Sequence, residues 1–393
     1  FRMNMQKQKS VILLSPVNIL RASAGFYYIA DALNERGYCV EMFAHIPVEM
    51  MHEINSLPFP VHSLYEGALG KVPRIRHLAF QRKIKRNYFE KCDALVVNFT
   101  NPVDYCKLGV EFKKHYPKKP LIHFCPELWV PGEKTKITDE ALDFYLGHVN
   151  TPDMLIDVEP FRAKLRSERL GLQKPVEVIR NTLPLKSLPE FAPAGTLEKL
   201  AGRMLPKDKH ILLLTGRATI AMVNEVKAIM DNVSERVFIL WFATGGDQAL
   251  AKARDVLERD RAHVAKSVSR FDLLSARWEA DAGLIAYSWR SVPTLNQEYA
   301  APSKLFEYLA TGLPIVSYGN PSVKALTDKY GIGICSSEET PEALAKAVDM
   351  LFARHDFSSL REQVKSVFEN ELSYEKSSKD VLERMCSLID NGA

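Results

Sequence analysis

Short apolar runs recur along the chain, separated by stretches in which apolar residues return every three or four positions. Ser10 to Ser15 (SVILLS) is the first run, and it stops at Pro16. Gly25 to Leu33 then has helical spacing, Arg36-Gly37-Tyr38 closes it, and Cys39 to Ala44 is apolar again. Continuous rather than alternating apolar strands predict a parallel sheet covered on both faces. Ala94 to Asn98, Leu121 to Phe124 and Val176 to Ile179 extend the series, so the first half predicts one doubly wound α/β domain. A second series follows with Ile211 to Leu214, Val237 to Phe242, Leu284 to Ala286 and Ile315 to Ser317. Helices are expected between them over Ile220 to Val233, Gln248 to Glu258 and Lys304 to Leu309. The stretch Leu183 to Lys207 interrupts the pattern with Pro184, Pro189, Pro193, Pro206, Gly195 and Gly202, and reads as a linker. The expected organisation is a first domain over 1–185, a hinge over 186–207 and a second domain over 208–371. Helical spacing returns at the end, with Val381, Leu382, Met385 and Leu388 on one face.

Two open parallel sheets leave their ligand sites outside the carboxyl ends of the strands, so a cleft between the halves is the expected place for chemistry. Composition narrows this little: 46% apolar and 25% charged residues with a net charge of +4 describe an ordinary globular chain. The charge does not argue for nucleic acid, and no basic and aromatic pattern of a nucleic-acid module is present. Cys39, Cys92, Cys106, Cys125, Cys335 and Cys386 are scattered without zinc spacing, which predicts a reducing compartment. No stretch reaches the ~18 apolar residues of a membrane span, and the start lacks a secretory apolar core, so a cytosolic protein is expected.

Five segments are candidates for function. Thr215-Gly216-Arg217 follows the strand that opens the second half; glycine lets the backbone approach a ligand, and arginine pairs with phosphate. A turn glycine beside a solvated arginine would look the same. In Pro302 to Pro314, Pro302 suits a first helical turn, while Ser303 and Lys304 at that terminus make an anion site. Glu307 lies one turn further and can accept from sugar hydroxyls, and Gly312 ends the helix. His123 to Glu127 (HFCPE) ends a strand of the first half, so His123 or Glu127 is a candidate to orient or deprotonate a substrate hydroxyl. The loop Asn18 to Gly25, with Ser23-Ala24-Gly25 opening a helix, is a candidate acceptor-side loop; it does not fit G-x-G-x-x-G. Finally, 71–91 places Arg82, Lys83, Lys85 and Arg86 around an apolar face of Phe80, Ile84 and Tyr88. That helix would either rest on an anionic membrane or simply cover the sheet.

Ala301 to Gly319, APSKLFEYLATGLPIVSYG, resembles the donor-site segment of the GT4-like GT-B glycosyltransferases (glycosyltransferase group 1). The resemblance implies that Glu307 binds ribose hydroxyls, with Ser303, Lys304 and Leu305 near the diphosphate or sugar and the loop from Tyr287 shaping donor selectivity. Gly216-Arg217 is similar to the family's Gly-Arg pair, which implies that Arg217 meets the diphosphate. Val149 to Leu170 and Val178 to Pro184 resemble the elements that lead into the hinge. Tyr374-Glu375 resembles the Trp-Glu opening of a last helix that crosses back to the first domain, so 372–393 is expected to join it. Two positions depart from the family: Tyr299 stands where a first glutamate is usual, with Glu298 one residue off, and no basic residue follows Gly216-Arg217 closely.

The implied fold is GT-B, two Rossmann-like doubly wound domains facing a cleft. The implied activity is transfer of a sugar from a nucleoside-diphosphate sugar to a hydroxyl of a glycan or lipid-linked glycan, with retention, in the synthesis of surface polysaccharide or glycoconjugate. No metal and no cofactor are expected, since the chain has no Asp-x-Asp and a helix terminus with basic side chains can stabilise the departing diphosphate. Attachment through 71–91 would make the protein peripheral at the inner face of the cytoplasmic membrane. A nucleotide-sugar 2-epimerase and an inactive partner subunit of a transferase are the alternatives.

Overall fold

The apolar runs build two all-parallel sheets. The computed structural model describes residues 8–15, 24–44, 46, 57–63, 81–99, 102–131, 139–258, 261–286 and 294–392. The chain divides into two compact units, Phe1–Arg180 with Ser378–Ala393, and Asn181–Ser377.

The first unit holds β1 (Ser10–Ser15), β2 (Cys39–Ala44), β3 (Val61–Ser63), β4 (Ala94–Asn98), β5 (Leu121–Cys125), β6 (Met154–Asp157) and β7 (Val176–Val178). Their order across the sheet is β3-β2-β1-β4-β5-β6-β7, and every pair is parallel. Residues of β4, β5 and β6 are buried along their full length, as a sheet covered on both faces requires. The order reverses between β1 and β4, which makes the carboxyl ends of those strands the switch point of this sheet.

The terminal helix Lys379–Asn391 packs within this first unit. The Lys9 ammonium donates to the carbonyls of Ile389 (2.9 Å) and Asp390 (2.6 Å), and so caps the helix end where cations are favoured. The Tyr38 hydroxyl also donates to the Asp390 carboxylate at 3.0 Å.

The second unit holds β8 (His210–Arg217), β9 (Val237–Thr244), β10 (Ala262–Lys266), β11 (Ala282–Ile285), β12 (Ile315–Ser317) and β13 (Gly333–Cys335). The order is β10-β9-β8-β11-β12-β13, again all parallel. Here the switch point lies between β8 and β11. Both sheets and their covering helices make the chain an α/β protein of two Rossmann-like domains.

The proline-rich stretch expected as a hinge or linker over 186–207 lies within the second unit. It forms a helix at Thr196–Ala201 whose Leu197 is buried. The Glu279 carboxylate accepts from the backbone N–H groups of Gly195 (2.7 Å) and Leu197 (2.9 Å), replacing the missing partners of that helix start. Prolines therefore shape a docked segment here. The chain passes between units at Arg180–Asn181 and at Ser377–Ser378. Beside these crossings Thr182 Oγ1 donates to the Leu372 carbonyl at 2.8 Å, and the Tyr374 N–H to Leu183 at 2.9 Å. The Glu375 carboxylate accepts from the Leu185 N–H at 2.9 Å. Residues 372–377 thus belong with the second unit, and only the segment from Ser378 joins the first.

Candidate functional site

The helix Ser303–Ala310 is built for its place. Pro302 sits at the N-cap with φ −70°, a value its ring already fixes. Leu305, Phe306, Tyr308 and Leu309 are buried. At the other end Gly312 takes φ +72°, its N–H bonds the Leu309 carbonyl at 3.0 Å, and the Leu313 N–H bonds Tyr308 at 3.0 Å. That pair of bonds is a Schellman closure, which favours glycine for its left-handed backbone.

Tyr308 carries the helix across the switch point. Its ring lies directly on Gly283 of β11, where an added Cβ would come within 2.3 Å of a ring carbon. Its hydroxyl donates to the Leu213 carbonyl of β8 at 3.1 Å and lies 3.3 Å from Thr215 Oγ1. The helix start is thereby set against the carboxyl end of β8, the position where open α/β sheets bind ligands. Asn320 Nδ2 and Asn181 Nδ2 hold the approach to it, donating to the carbonyls of Ala300 (3.1 Å) and Ala301 (3.3 Å).

Lys304 folds back onto that strand end, its ammonium donating to the Thr215 carbonyl at 2.6 Å. Gly216 has φ +134°, and a Cβ there would stand 2.9 Å from the Lys304 nitrogen. The backbone conformation favours glycine, since it is unfavourable for L side chains, and any larger residue would also have to displace the Lys304 ammonium. Trp241, buried in β9, donates from its indole to the Gly216 carbonyl at 3.3 Å. Arg217 ends the strand exposed, with no ion-pair partner among the described residues. Ser303 is half-buried at the helix start and Leu305 is buried in the core beneath. Tyr287 lies outside the described residues.

Glu307 is not an open carboxylate waiting for a ligand. It is 6% exposed, and each of its oxygens meets an arginine. Arg270 Nε donates to Oε1 at 2.8 Å and Arg277 Nη1 reaches Oε2 at 2.6 Å. Burial pushes the carboxyl upward, but Arg277 and then Arg270 outweigh it and hold the acid at about 2. Arg277 is itself buried and lies over the Tyr308 ring, 5.3 Å from its centroid. Neither arginine was singled out in the sequence. The available signal was their spacing in SRFDLLSARW, seven residues apart on a largely apolar helix, which puts both on one face.

In the first unit the structure separates the two candidates at the end of β5. His123 is 4% exposed, stacked on Phe99 at 4.8 Å, and a Cβ on Gly109 would stand only 3.2 Å from its Nε2. Burial, and secondarily the charge of Arg166, push it down to about 3, so it is neutral at ordinary pH. A base must reach the proton it takes, and this imidazole is enclosed by core. Glu127 is exposed, two residues beyond the strand. The turn that carries it is held from behind: Arg162 Nη2 donates to the Pro126 carbonyl (2.8 Å) and Arg166 Nη2 to the Glu127 carbonyl (2.6 Å).

Gly25 is buried in the first turn of the helix Ala24–Glu35, while Ser23 lies outside the described residues. Of the basic stretch 71–91, the described part turns Ile84 fully into the core and pairs Lys85 with Glu111. Among the described residues no helix is long and apolar enough to cross a membrane. The thiols of Cys92, Cys106 and Cys125 are buried, and burial pushes them up to about 12, 12 and 11, which leaves them as unreactive core groups.

No protein-family model matches the sequence, and no curated protein matches it either. Solved structures match over nearly the whole chain. A glycosyltransferase from Rickettsia africae is 12% identical with a TM-score of 0.73, covering 98% of this chain and 100% of its own. Anabaena HepE, solved with UDP and glucose, gives 12% identity and 0.71 over 97% of this chain and 100% of its own. A Listeria monocytogenes protein described as a UDP-N-acetylglucosamine 2-epimerase gives 13% and 0.59, over 98% of this chain and 96% of its own. At these identities the likeness concerns the fold, and the fold is GT-B.

Proposed function

We propose that the protein transfers a sugar from a nucleoside-diphosphate sugar to a hydroxyl-bearing acceptor. The observation that carries this reading is the group of features at the switch point of the second sheet: Gly216 at positive φ, exposed Arg217, Lys304 on the Thr215 carbonyl, and the start of the helix Ser303–Ala310. Backbone N–H groups, a helix dipole and two cations suit a diphosphate. Each Glu307 oxygen keeps acceptor capacity after its arginine bond, which suits a ribose diol. In transfer the acceptor oxygen bonds to the anomeric carbon as the bond from that carbon to the diphosphate breaks. The electron pair leaves with the diphosphate, where Arg217 and Lys304 counter the developing charge.

Glu127 is the residue we assign to orienting the acceptor hydroxyl. The resemblance to GT4-like enzymes favours retention, in which case the acceptor proton leaves with the diphosphate; under inversion it passes to Glu127. The anomer of the product, read by NMR, decides between them. A glycan or lipid-linked glycan is the acceptor class this reading favours, and the Arg217 and Lys304 cations are offered as the groups that make a metal unnecessary.

Titration of UDP into the full chain tests the donor site. Arg217→Ala is expected to weaken UDP binding by about 10- to 100-fold, the loss of a charge-assisted hydrogen bond worth roughly 1.5–3 kcal/mol. Unchanged affinity would remove Arg217 from the diphosphate. The second reading, a nucleotide-sugar 2-epimerase, is favoured by the likeness to the Listeria protein. It predicts change of UDP-N-acetylglucosamine with no acceptor added, whereas a transferase forms a new glycoside only when one is supplied.

A further inference from the structure

We infer that Asp157, Arg162 and Arg166 are positioning residues that fix Glu127 for its work on the acceptor, an inference that rests on the role assigned to Glu127 above. Asp157 ends β6 and is fully buried, as is Arg166, while Arg162 is 4% exposed. Arg166 Nε donates to one Asp157 oxygen at 2.9 Å, with Nη2 forming an ion pair with the same oxygen at 2.9 Å, and Arg162 Nε lies 3.6 Å from the other. That second oxygen also accepts from the Val158 N–H at 2.7 Å and the Glu159 N–H at 3.3 Å. The helix bearing both arginines is pinned at its start, where the Glu159 carboxylate accepts from the Arg162 N–H at 2.9 Å.

Stability alone gives little reason for this arrangement. Desolvating a carboxylate and two guanidiniums costs about as much as their attraction returns, and well-packed apolar residues often serve as well. What apolar residues would not supply is donors. Each guanidinium extends its Nη2 out of the core, Arg162 to the Pro126 carbonyl and Arg166 to the Glu127 carbonyl, one residue apart in the turn after β5. Fixing the carbonyl of Glu127 itself fixes the Cα from which its exposed carboxylate projects. A rigid planar donor anchored by a buried acid is suited to that purpose, and lysine is not, because its ammonium is a point charge on a flexible stem.

The experiment measures UDP release from UDP-glucose by the full chain, with water or octyl glucoside as acceptor. Arg162→Met, Arg166→Met, Glu127→Gln and the combined variants are compared. Each arginine variant is expected to lower turnover by ~10-fold or more, as a misplaced group about 1 Å away can do, while UDP affinity at the other unit is kept. In the Glu127→Gln background the same substitutions should cost nothing further, since residues acting as a unit are not additive. Equal losses in both backgrounds would mean a merely structural role and overturn the inference while leaving the role of Glu127 intact. Full turnover in Glu127→Gln would instead overturn the reading beneath it. Should Arg166→Met fail to fold, Arg162→Met carries the test, since Glu159 still caps the helix. Amide exchange over 126–130 then provides a second readout: faster exchange with the rest of the unit unchanged is expected, and unchanged exchange would overturn the inference.

Discussion

Glu307→Ala is expected to lower the stability of the second unit by about 3–5 kcal/mol, the usual cost of removing one partner from a buried ion pair. For a unit of this size that is a fall in Tm of roughly 6–20 °C, read by calorimetry. The reason is Arg277: it is buried and would be left with an uncompensated charge, whereas Arg270 is 37% exposed and can turn to water. Adding Arg277→Met to Glu307→Leu should recover most of the loss, because it removes the stranded charge and replaces the pair with apolar bulk. Binding separates this structural role from the functional one. If Glu307 holds the ribose, the repaired double variant should bind pyrophosphate as before and UDP far more weakly. Equal weakening of both ligands would take the ribose away from Glu307.

The same carboxylate gives the unit a pH dependence of definite sign. Its folded acid constant is depressed from 4.5 to about 2, so the unfolded chain takes up a proton first as pH falls. The stabilisation is complete above about 4.5 and is lost as the pH drops toward 2. Glu307→Gln should flatten that part of the acid unfolding curve, and an unaltered curve would mean the arginines do not hold the carboxylate as described.

The two parallel sheets were legible because buried strands of this kind are continuous apolar runs. The strands that no apolar run marked are β3, β10 and β13 at sheet edges and the interior β6, which only the resemblance of 149–170 suggested. Residues of β3 and β13 are only half-buried throughout, so neither an apolar run nor a clean alternation marks them. The helix Ser303–Ala310 was legible for a different reason: its proline, its closing glycine and the candidate anion-site residues Ser303 and Lys304 are close together in sequence. Arg270 and Arg277 were not, nor were Asp157, Arg162 and Arg166. Among 52 lysines and arginines, a shared helix face such as that of Arg270 and Arg277 shows that two can act together but not which of them is buried. The partner acid of Arg270 lies 37 residues away, and the backbone carbonyl that Arg166 serves lies 39 residues away. His123 shows the opposite error. In a strand buried on both faces, alternate residues point to opposite layers, and position near the strand's end does not reveal that its ring lies under Phe99 and against Gly109.

Gly283→Ala should do at the centre of the second unit what no single change at the residues proposed to meet the diphosphate can do: shift them all together. The added methyl would lie 2.3, 2.4 and 2.7 Å from three carbons of the Tyr308 ring. Tyr308 is fully buried and its hydroxyl is tied to the Leu213 carbonyl, so the ring cannot swing away without breaking that bond. The strand has no easier route, since β11 pairs on both sides, with β8 and β12. Overpacking of this sort costs about 1–3 kcal/mol, and more where the backbone must move. The displaced element is the helix that carries Lys304 and Glu307, and its start would move off the end of β8. UDP affinity is therefore expected to fall along with Tm, although no residue proposed to touch the nucleotide has changed. Pairing Gly283→Ala with Tyr308→Leu, which removes the ring atoms under the methyl, should restore much of the stability. Binding should return with it only so far as the helix regains its seat without the bond to Leu213. Native UDP binding and Tm in Gly283→Ala alone would show that the ring does not fix the helix to the sheet.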